Sequence, residues 1–239
     1  MFHNLHCIAL RTVRHSDTKN LLSAWSREAG RISLAMPTGS GREASRRRSL
    51  TSPLAVFEGV VDLKPGREIL SMRDLRPGPG SLAMEASPVK GMTAMFLAEF
   101  LDLLLRRSEP DELLSDFLFD SLATFSAMTD ATDIANFHLV LIYRLTALAG
   151  IEPQTDVPGT IFDLRDGSFR PARPLHDDWL DPAESESLRR LARVHYNNTA
   201  EAALDRAMRN RLLDSLLRYY SIHLLPLTSL KSLDILRAL

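Results

Sequence analysis

The sequence has few of the features that mark secreted, metal-bound or membrane proteins. It contains one cysteine, Cys7, in 239 residues, and one cysteine can form neither an internal disulfide nor a cysteine-rich zinc site. Charged residues interrupt every apolar stretch that would be long enough to span a bilayer. The first residues lack the basic and apolar regions of a secretory signal. We therefore expect a soluble, untargeted protein of the reducing cytoplasm.

Motifs of the common enzyme classes are also missing. The sequence has no Gly-x-Ser-x-Gly elbow, no Walker loop and no dinucleotide-binding glycine fingerprint. The His176-Asp177 pair is of the kind that metal phosphohydrolases use, but the further histidines of such a site are not in place. These absences predict a protein that is not an enzyme and needs no cofactor.

The charges present are divided unevenly along the chain. The net charge is only −1, but residues 1–80 contain 13 Lys and Arg against 7 Asp and Glu, whereas residues 81–239 contain 16 against 23. The first part therefore carries +6 and the second −7. Because lysine and arginine supply most phosphate binding, the basic part suggests a polyanionic partner, and two domains with two roles are the simplest explanation.

The basic part has the pattern of a small β-barrel. In Arg31–Met36 the residues Ile32, Leu34 and Met36 alternate as on a half-buried strand. Five short strands, joined by turns without a long helix, favour an OB-type barrel over an SH3-like one. The predicted strands are 5–13, 21–26, 31–36, 54–62 and 68–75.

The acidic part has the pattern of a helical domain. Two prolines and two glycines within residues 76–81 predict a linker, so we expect an OB-type domain over residues 1–76, a linker over 77–81 and a helical domain over 82–239. Three apolar stripes of helical period precede Gly150, and helices resume at the capping sequence Asp181–Glu184 and over Thr199–Ile222. The intervening residues 151–180 are predicted to be a loop with a short hairpin at 161–169.

A cationic segment lies between the third and fourth predicted strands. We expect residues 39–49 to form a flexible loop whose arginines contact phosphate, and other cations on the same strands to extend it into a stripe. A solvated surface loop without a ligand remains the alternative. Trp25 could stack on a base or belong to the core. The candidate DNA-binding residues are Arg11, Arg14, Lys19, Arg27, Arg31, Arg42, Arg46, Arg47 and Arg48.

The order of these features resembles the bacterial recombination mediator family RecO. The resemblance rests on Arg14–Lys19 in the first hairpin, on the turn Arg27-Glu28-Ala29-Gly30-Arg31-Ile32, and on the glycine-led basic segment 39–48. The closing segment, with Arg211–Tyr220 and the Leu-Lys-Ser tail of residues 230–232, is also similar to that family. Together these motifs extend over most of the chain.

The resemblance implies a nucleoid-associated protein that binds single- and double-stranded DNA and anneals complementary strands. It also implies partnership with RecR in loading RecA onto strands coated by SSB. Many relatives carry a four-cysteine zinc module where residues 151–180 lie here, and since this stretch has no cysteine we expect no zinc. A non-catalytic adaptor that binds protein or RNA remains the competing hypothesis.

The acidic SSB tail, which ends in an apolar residue, requires an apolar groove with nearby cations. We expect that groove within residues 81–239. The candidate tail-binding residues are Phe137, Leu141, Arg144, Arg211 and Lys231.

Overall fold

The structure of the chain is a computed structural model. It describes residues 2–63, 66–78, 87–106, 108–224, 227 and 230–237. The chain groups into two compact units, the first comprising Met1–Ala127 with Leu230–Leu236 and the second comprising Met128–Ser229 with Arg237–Leu239. The predicted linker at 77–81 lies mostly outside the described residues. No helix within the described ranges is long and apolar enough to cross a membrane.

A curled sheet forms the N-terminal part of unit 1. Its order is β5-β3-β2-β1-β4-β6, and all neighbours are antiparallel except β3 and β5. The strands are β1 (Phe2–Arg14), β2 (Lys19–Ser26), β3 (Gly30–Pro37), β4 (Val56–Asp62), β5 (Ile69–Leu70) and β6 (Met72–Pro77).

The fifth predicted strand is divided at Ser71. Its first part, β5, pairs with β3, and its second part, β6, pairs with β4. One stretch of chain therefore joins the two edges of the sheet and curls it into a small Greek-key barrel of the OB type. The prediction of an N-terminal barrel is confirmed, with six strands where the sequence pattern indicated five.

The cationic segment is a helix, α1 (Arg42–Leu50), so the prediction of a flexible loop was wrong. Glu43 and Arg47 lie one turn apart and pair across the helix surface. Gly41, with φ of 90°, precedes the first turn, and only Ala44 and Leu50 of the helix are buried. A helix with so little apolar surface has no amphipathic stripe, which is why the sequence pattern resembled a loop.

Two long helices complete most of unit 1, and both were predicted from their apolar stripes. They are α2 (Pro88–Leu104) and α3 (Glu112–Ala127). The Ser87 hydroxyl caps α2 by accepting from the Lys90 amide, and the Asp111 carboxylate accepts from the Leu114 amide at the start of α3. A short C-terminal helix, α7 (Leu233–Arg237), begins in the segment 230–236 that returns to this unit.

Unit 2 is mainly helical and is organised around α4 (Ala131–Leu148), which is buried along most of its second half. α5 (Pro182–Arg193) begins with the predicted capping box between Asp181 and Glu184. The helix predicted over Thr199–Ile222 is interrupted: a 3-10 turn, Thr199–Ala202, ends at the left-handed Ala203, and α6 (Arg206–His223) follows.

Residues 151–180 carry a small sheet of β7 (Ile161–Asp163), β8 (Ser168–Arg170) and β9 (Trp179–Leu180). The predicted hairpin at 161–169 is confirmed. Phe162 and Phe169 are buried with ring centroids 5.2 Å apart. The Asp178 carboxylate binds both Arg165 and Arg218, and the hydrogen bonds from the Arg165 guanidinium hold the pKa of that carboxyl below its ordinary value.

Candidate nucleic-acid interface

Helix α1 presents most of its arginines to solvent at one end of the barrel. Arg42, Arg46 and Arg48 are exposed. Within the described residues the Arg42 and Arg46 guanidinium groups make no hydrogen bond or ion pair, whereas Arg48 Nη1 donates to the Gly39 carbonyl at 3.3 Å. Arg47 is half-buried and pairs with Glu43 at 3.4 Å. Arg42 and Arg46 are therefore the α1 cations best placed to accept an external anion.

The β1–β2 hairpin adds cations at the same end of the barrel. The Thr38 amide donates to the Thr18 carbonyl at 2.9 Å, which fixes the hairpin tip beside the residue that precedes Gly39. Lys19 is exposed next to this contact, and Arg14 pairs with Asp17 on the surface at 2.6 Å. Because Arg48 binds Gly39, the hairpin and α1 form one cationic region.

Three other candidate arginines bind acidic residues of the helices in unit 1. Arg31 Nη2 lies 2.5 Å from Asp102 Oδ1 on α2, and Arg11 is 4.0 Å from the other oxygen of the same carboxylate. Arg27 lies 2.6 Å from Asp116 on α3. Arg31 and Arg27 hold α2 and α3 against the barrel, whereas Arg11 is half-exposed and only at the limit of ion-pair distance. None of the three belongs to the cationic region around α1.

The turn between β2 and β3 is built from the motif that carries the family resemblance. Glu28 accepts hydrogen bonds from His6 and Ser26. Burial raises the pKa of the Glu28 carboxyl, but these hydrogen bonds outweigh burial and lower it overall. Gly30 has φ of 65°, and a Cβ there would lie 2.8 Å from the Pro110 nitrogen. The motif therefore serves packing, since only glycine fits this close left-handed turn.

Trp25 belongs to the core. Its side chain is fully buried, and the indole N–H donates to the Ser115 hydroxyl of α3 at 3.1 Å. A base cannot stack on a ring that no solvent reaches, so the core interpretation of Trp25 is correct and the stacking interpretation was wrong.

A pocket beside α1 was not predicted from the sequence. It has a volume of about 340 Å³ and lies between α1 and the ends of β3 and β6. We call it the α1 pocket; its lining includes Met36, Glu43, Arg46, Arg47, Met72, Asp74 and Leu75. Asp74 has a positive φ of 53°, which is uncommon outside glycine. No sequence motif marks this residue, because it meets α1 only through the closure of the barrel.

The candidate tail-binding residues of unit 2 differ in how far they are buried. Phe137 and Leu141 are fully buried in α4, so neither can line an exposed groove, and their apolar stripe is core. Arg144 donates to the Val194 carbonyl at 2.7 Å. Arg211 is half-exposed and lies 3.7 Å from Glu184. These contacts bind Arg144 and Arg211 to their own unit.

Lys231 lies beside an open groove of unit 1 that we call the C-terminal groove. The groove has a volume of about 330 Å³, and Met95 and Ile235 supply exposed apolar surface. Arg11 lines it together with Lys231. Glu99 also lines it, but its carboxylate accepts from the Lys231 amide at 3.0 Å and from the Ser232 amide at 2.9 Å. An apolar floor and two cations are thus combined at one site.

Side chains that could together hold a metal ion are not brought into one cluster in the described ranges. No cluster of three His, Cys, Asp or Glu side chains with ligating geometry occurs there. Cys7 is buried in the barrel, and burial raises the pKa of its thiol far above the ordinary value. The protonated, enclosed thiol is unreactive.

Comparison with known proteins identifies the family. Residues 86–234, more than half of the chain, match the family model described as Recombination protein O C terminal. The chain is 34% identical over 238 residues to the DNA repair protein RecO of Porphyromonas gingivalis strain W83, covering 97% of this chain and 96% of the relative. It is 31% identical over 234 residues to RecO of Phocaeicola vulgatus and 30% over 235 residues to RecO of Bacteroides fragilis strain ATCC 25285, with the same coverage. The chain therefore belongs to the RecO family of DNA repair proteins.

Proposed function

We propose that this protein is a non-catalytic recombination mediator that binds single- and double-stranded DNA through the cationic region formed by α1 and the β1–β2 hairpin. The observation that carries the proposal is the exposure of Arg42 and Arg46 without an acidic partner within the described residues. Unpaired guanidinium groups gain most from a phosphate because no internal ion pair has to break. Lys19 and Arg48 extend the same surface.

The arrangement suits DNA binding without base specificity. Guanidinium and ammonium groups neutralise phosphates and release counterions, which gives affinity that depends on salt and hardly on sequence. A surface of this kind brings two strands together by reducing the repulsion between their backbones. Annealing of complementary strands is therefore the activity that we assign to the cationic region.

Membership of the family and the C-terminal groove support a proposal for partner binding. We infer that the protein acts with RecR to load RecA on SSB-coated strands. The SSB tail, acidic and ending in an apolar residue, fits a groove whose floor includes Met95 and Ile235 and whose cations are Arg11 and Lys231. This assignment moves the expected tail site away from Phe137 and Leu141, and it adds a barrel residue to a site expected within 81–239.

The test is annealing of complementary oligonucleotides coated with SSB. We expect the full chain to accelerate annealing over the spontaneous rate, and we expect RecR to be required for the further step of RecA loading. A chain that binds no oligonucleotide at low salt, while binding a protein or a structured RNA, would instead be an adaptor. That result would refute the proposal.

A further inference from the structure

The α1 pocket lies at an open end of the barrel, and its floor is apolar. Met36 is nearly buried in the core, and Met72 and Leu75 pack against the same core while remaining partly exposed. The barrel end remains open because α1, which lies over it, buries only Ala44 and Leu50. The result is a recess large enough for a flat apolar group.

A glycine in β4 fixes the shape of this floor. A Cβ at Gly59 would lie 2.6 Å from Cγ of Met72 and 2.7 Å from the Arg73 carbonyl, so no larger residue fits while β6 keeps its place. The thioether of Met72 is thereby held at the pocket. Sulfur of this type makes favourable contacts with aromatic rings.

Four charged residues line the α1 pocket: Glu43 and Arg47 pair with each other, whereas Arg46 and Asp74 are exposed to an incoming ligand. The Arg46 guanidinium and the Asp74 carboxylate both line it, and neither makes a hydrogen bond or ion pair there. Arg47 Nε is buried without a hydrogen-bond partner, although the far end of that side chain binds Glu43. A buried donor without a partner costs free energy that a ligand can recover. Asp74 has a left-handed conformation, which aspartate adopts more readily than most residues other than glycine.

We propose that the α1 pocket receives one unstacked nucleobase of a single DNA strand, with the neighbouring phosphate on Arg46. The base is flat and apolar on its faces, which suits the methionine and leucine floor, and its phosphate supplies the anion. This inference rests on the DNA binding proposed above and adds a preference for single strands. Bases in a duplex stay stacked and paired, so a duplex contacts the arginines but leaves the pocket empty.

Asp74 determines which bases fit best. A carboxylate accepts a hydrogen bond from an exocyclic amine, as on cytosine N4, but repels the carbonyl oxygen that thymine carries at the same position. Cytosine and thymine are similar in size, so the comparison isolates this one group. The pocket should therefore prefer oligo-dC over oligo-dT, a discrimination that phosphate contacts cannot produce.

The experiment measures fluorescence anisotropy of the full chain with dC and dT oligonucleotides of about 15 residues and with a duplex of equal length. We expect wild type to bind dC roughly fivefold more tightly than dT, since one charge-assisted contact differs. Asp74→Asn should bring the ratio to about one, because an amide accepts from N4 of cytosine and donates to O4 of thymine equally well. Glu68→Gln, which removes an exposed carboxylate that does not line the pocket, should leave the ratio unchanged.

A second variant tests the apolar floor. Leu75→Phe should fill the recess and weaken binding of both single strands roughly tenfold, the loss expected for one base contact, while the duplex changes by less than about twofold. If this variant does not fold, as judged by circular dichroism, the dC-to-dT ratio of Asp74→Asn decides alone. A wild-type ratio of one, or a ratio unaffected by Asp74→Asn, overturns the pocket assignment.

The binding of wild type to each DNA, together with competition by free dCMP, separates the possible failures. One outcome is that wild type binds both single strands and duplex while the pocket variants change neither affinity nor the dC-to-dT ratio. In that case the proposed DNA-binding function stands and the base pocket is refuted. If wild type binds no DNA at low salt, both are refuted. Free dCMP should displace the dC oligonucleotide only weakly, since it lacks the contacts of the strand; tight binding of dCMP that displaces no oligonucleotide would identify a mononucleotide site and overturn the proposal.

Discussion

The Arg31 guanidinium of β3 and the Asp102 carboxylate of α2 form a buried ion pair at 2.5 Å, with the Asp102 side chain only 5% exposed. The two residues are 71 positions apart in sequence. Arg31 belongs to the turn motif shared with the family, and it was a candidate for binding phosphate. The structure gives it a packing role, because its charge is already neutralised inside unit 1.

We predict that Asp102→Ala lowers the free energy of unfolding by about 3 kcal/mol, because it leaves the Arg31 charge buried without its partner. Chemical unfolding followed by Trp25 fluorescence, in a background where Trp179 is changed to Phe, would measure this loss in unit 1. The matched control is Asp17→Ala, which breaks the exposed pair with Arg14 and should cost less than about 1 kcal/mol. Equal losses in the two variants would contradict a structural role for the buried pair.

The hydrogen bond between Trp25 and Ser115 yields a second prediction. Ser115→Ala should destabilise the protein by about 1 to 2 kcal/mol, because it leaves a buried indole N–H without an acceptor. Saturating single-stranded DNA should leave the emission of Trp25 unchanged, since the ring is enclosed. Strong quenching of Trp25 by a bound oligonucleotide would restore the stacking interpretation.

Local patterns predicted most elements of the fold. Alternation in Arg31–Met36 indicated β3, and the stripes around Phe96 and Phe125 indicated α2 and α3, because each of these elements buries one face. Helix α1 was not predicted because it buries only two side chains, Ala44 and Leu50. The local signals that favour a helix there are the i, i+4 pairing of Glu43 with Arg47 and the abundance of strong helix formers in Arg42–Leu50.

The candidate interface was harder to predict than the fold. One sequence can show that arginines are abundant, but it cannot show which of them meet a carboxylate elsewhere in the chain. Arg27 and Arg31 have acidic partners on α3 and α2, and Arg42 and Arg46 have none within the described residues. The same limitation hid Asp74, which lines the α1 pocket only because the barrel closes.

The third prediction concerns the exposed arginines of α1. Arg42→Ala combined with Arg46→Ala should weaken binding to every oligonucleotide, and the slope of log affinity against log salt should become shallower by up to about 1.4 on single strands. Arg47 is left unchanged because it is half-buried and paired with Glu43. Thermal stability should barely change, since exposed side chains contribute little to a core.

A matched control removes two exposed arginines elsewhere, Arg106→Ala with Arg193→Ala, and lowers the net charge by the same amount. It should leave the salt slope within error of wild type. If both double variants reduce affinity equally, only the overall charge matters, and the cationic region around α1 is not a distinct site.

The fourth prediction concerns the C-terminal groove. Ile235→Asp should weaken binding of a peptide with the sequence of the SSB tail roughly tenfold or more, because it places a negative charge in an apolar floor that faces an acidic ligand. Arg211→Ala, which removes an arginine held near Glu184, serves as the control and should bind the peptide normally. Isothermal titration at two salt concentrations would also show a weaker salt dependence than for DNA, since apolar contacts are not screened. Normal binding to Ile235→Asp with loss in Arg211→Ala would relocate the tail site to unit 2.

The last prediction concerns His138, which is buried in α4. Burial lowers the pKa of this imidazole to about 3, and the nearby Arg209 charge adds to the effect. The unfolded chain binds a proton at the ordinary pKa of 6.5, so the stabilising contribution is complete above that pH and is lost as the pH falls from 6.5 towards 3.

Between pH 7 and pH 5 the free energy of unfolding of wild type should therefore fall by about 2 kcal/mol more than that of His138→Gln, which does not titrate in this range. Comparing the two proteins cancels the contribution of carboxylates, which titrate in both. Urea unfolding followed by circular dichroism at several pH values would measure the difference. Parallel stability curves for the two proteins would mean that His138 takes up its proton in the folded state, and that α4 admits the charge that its burial should exclude.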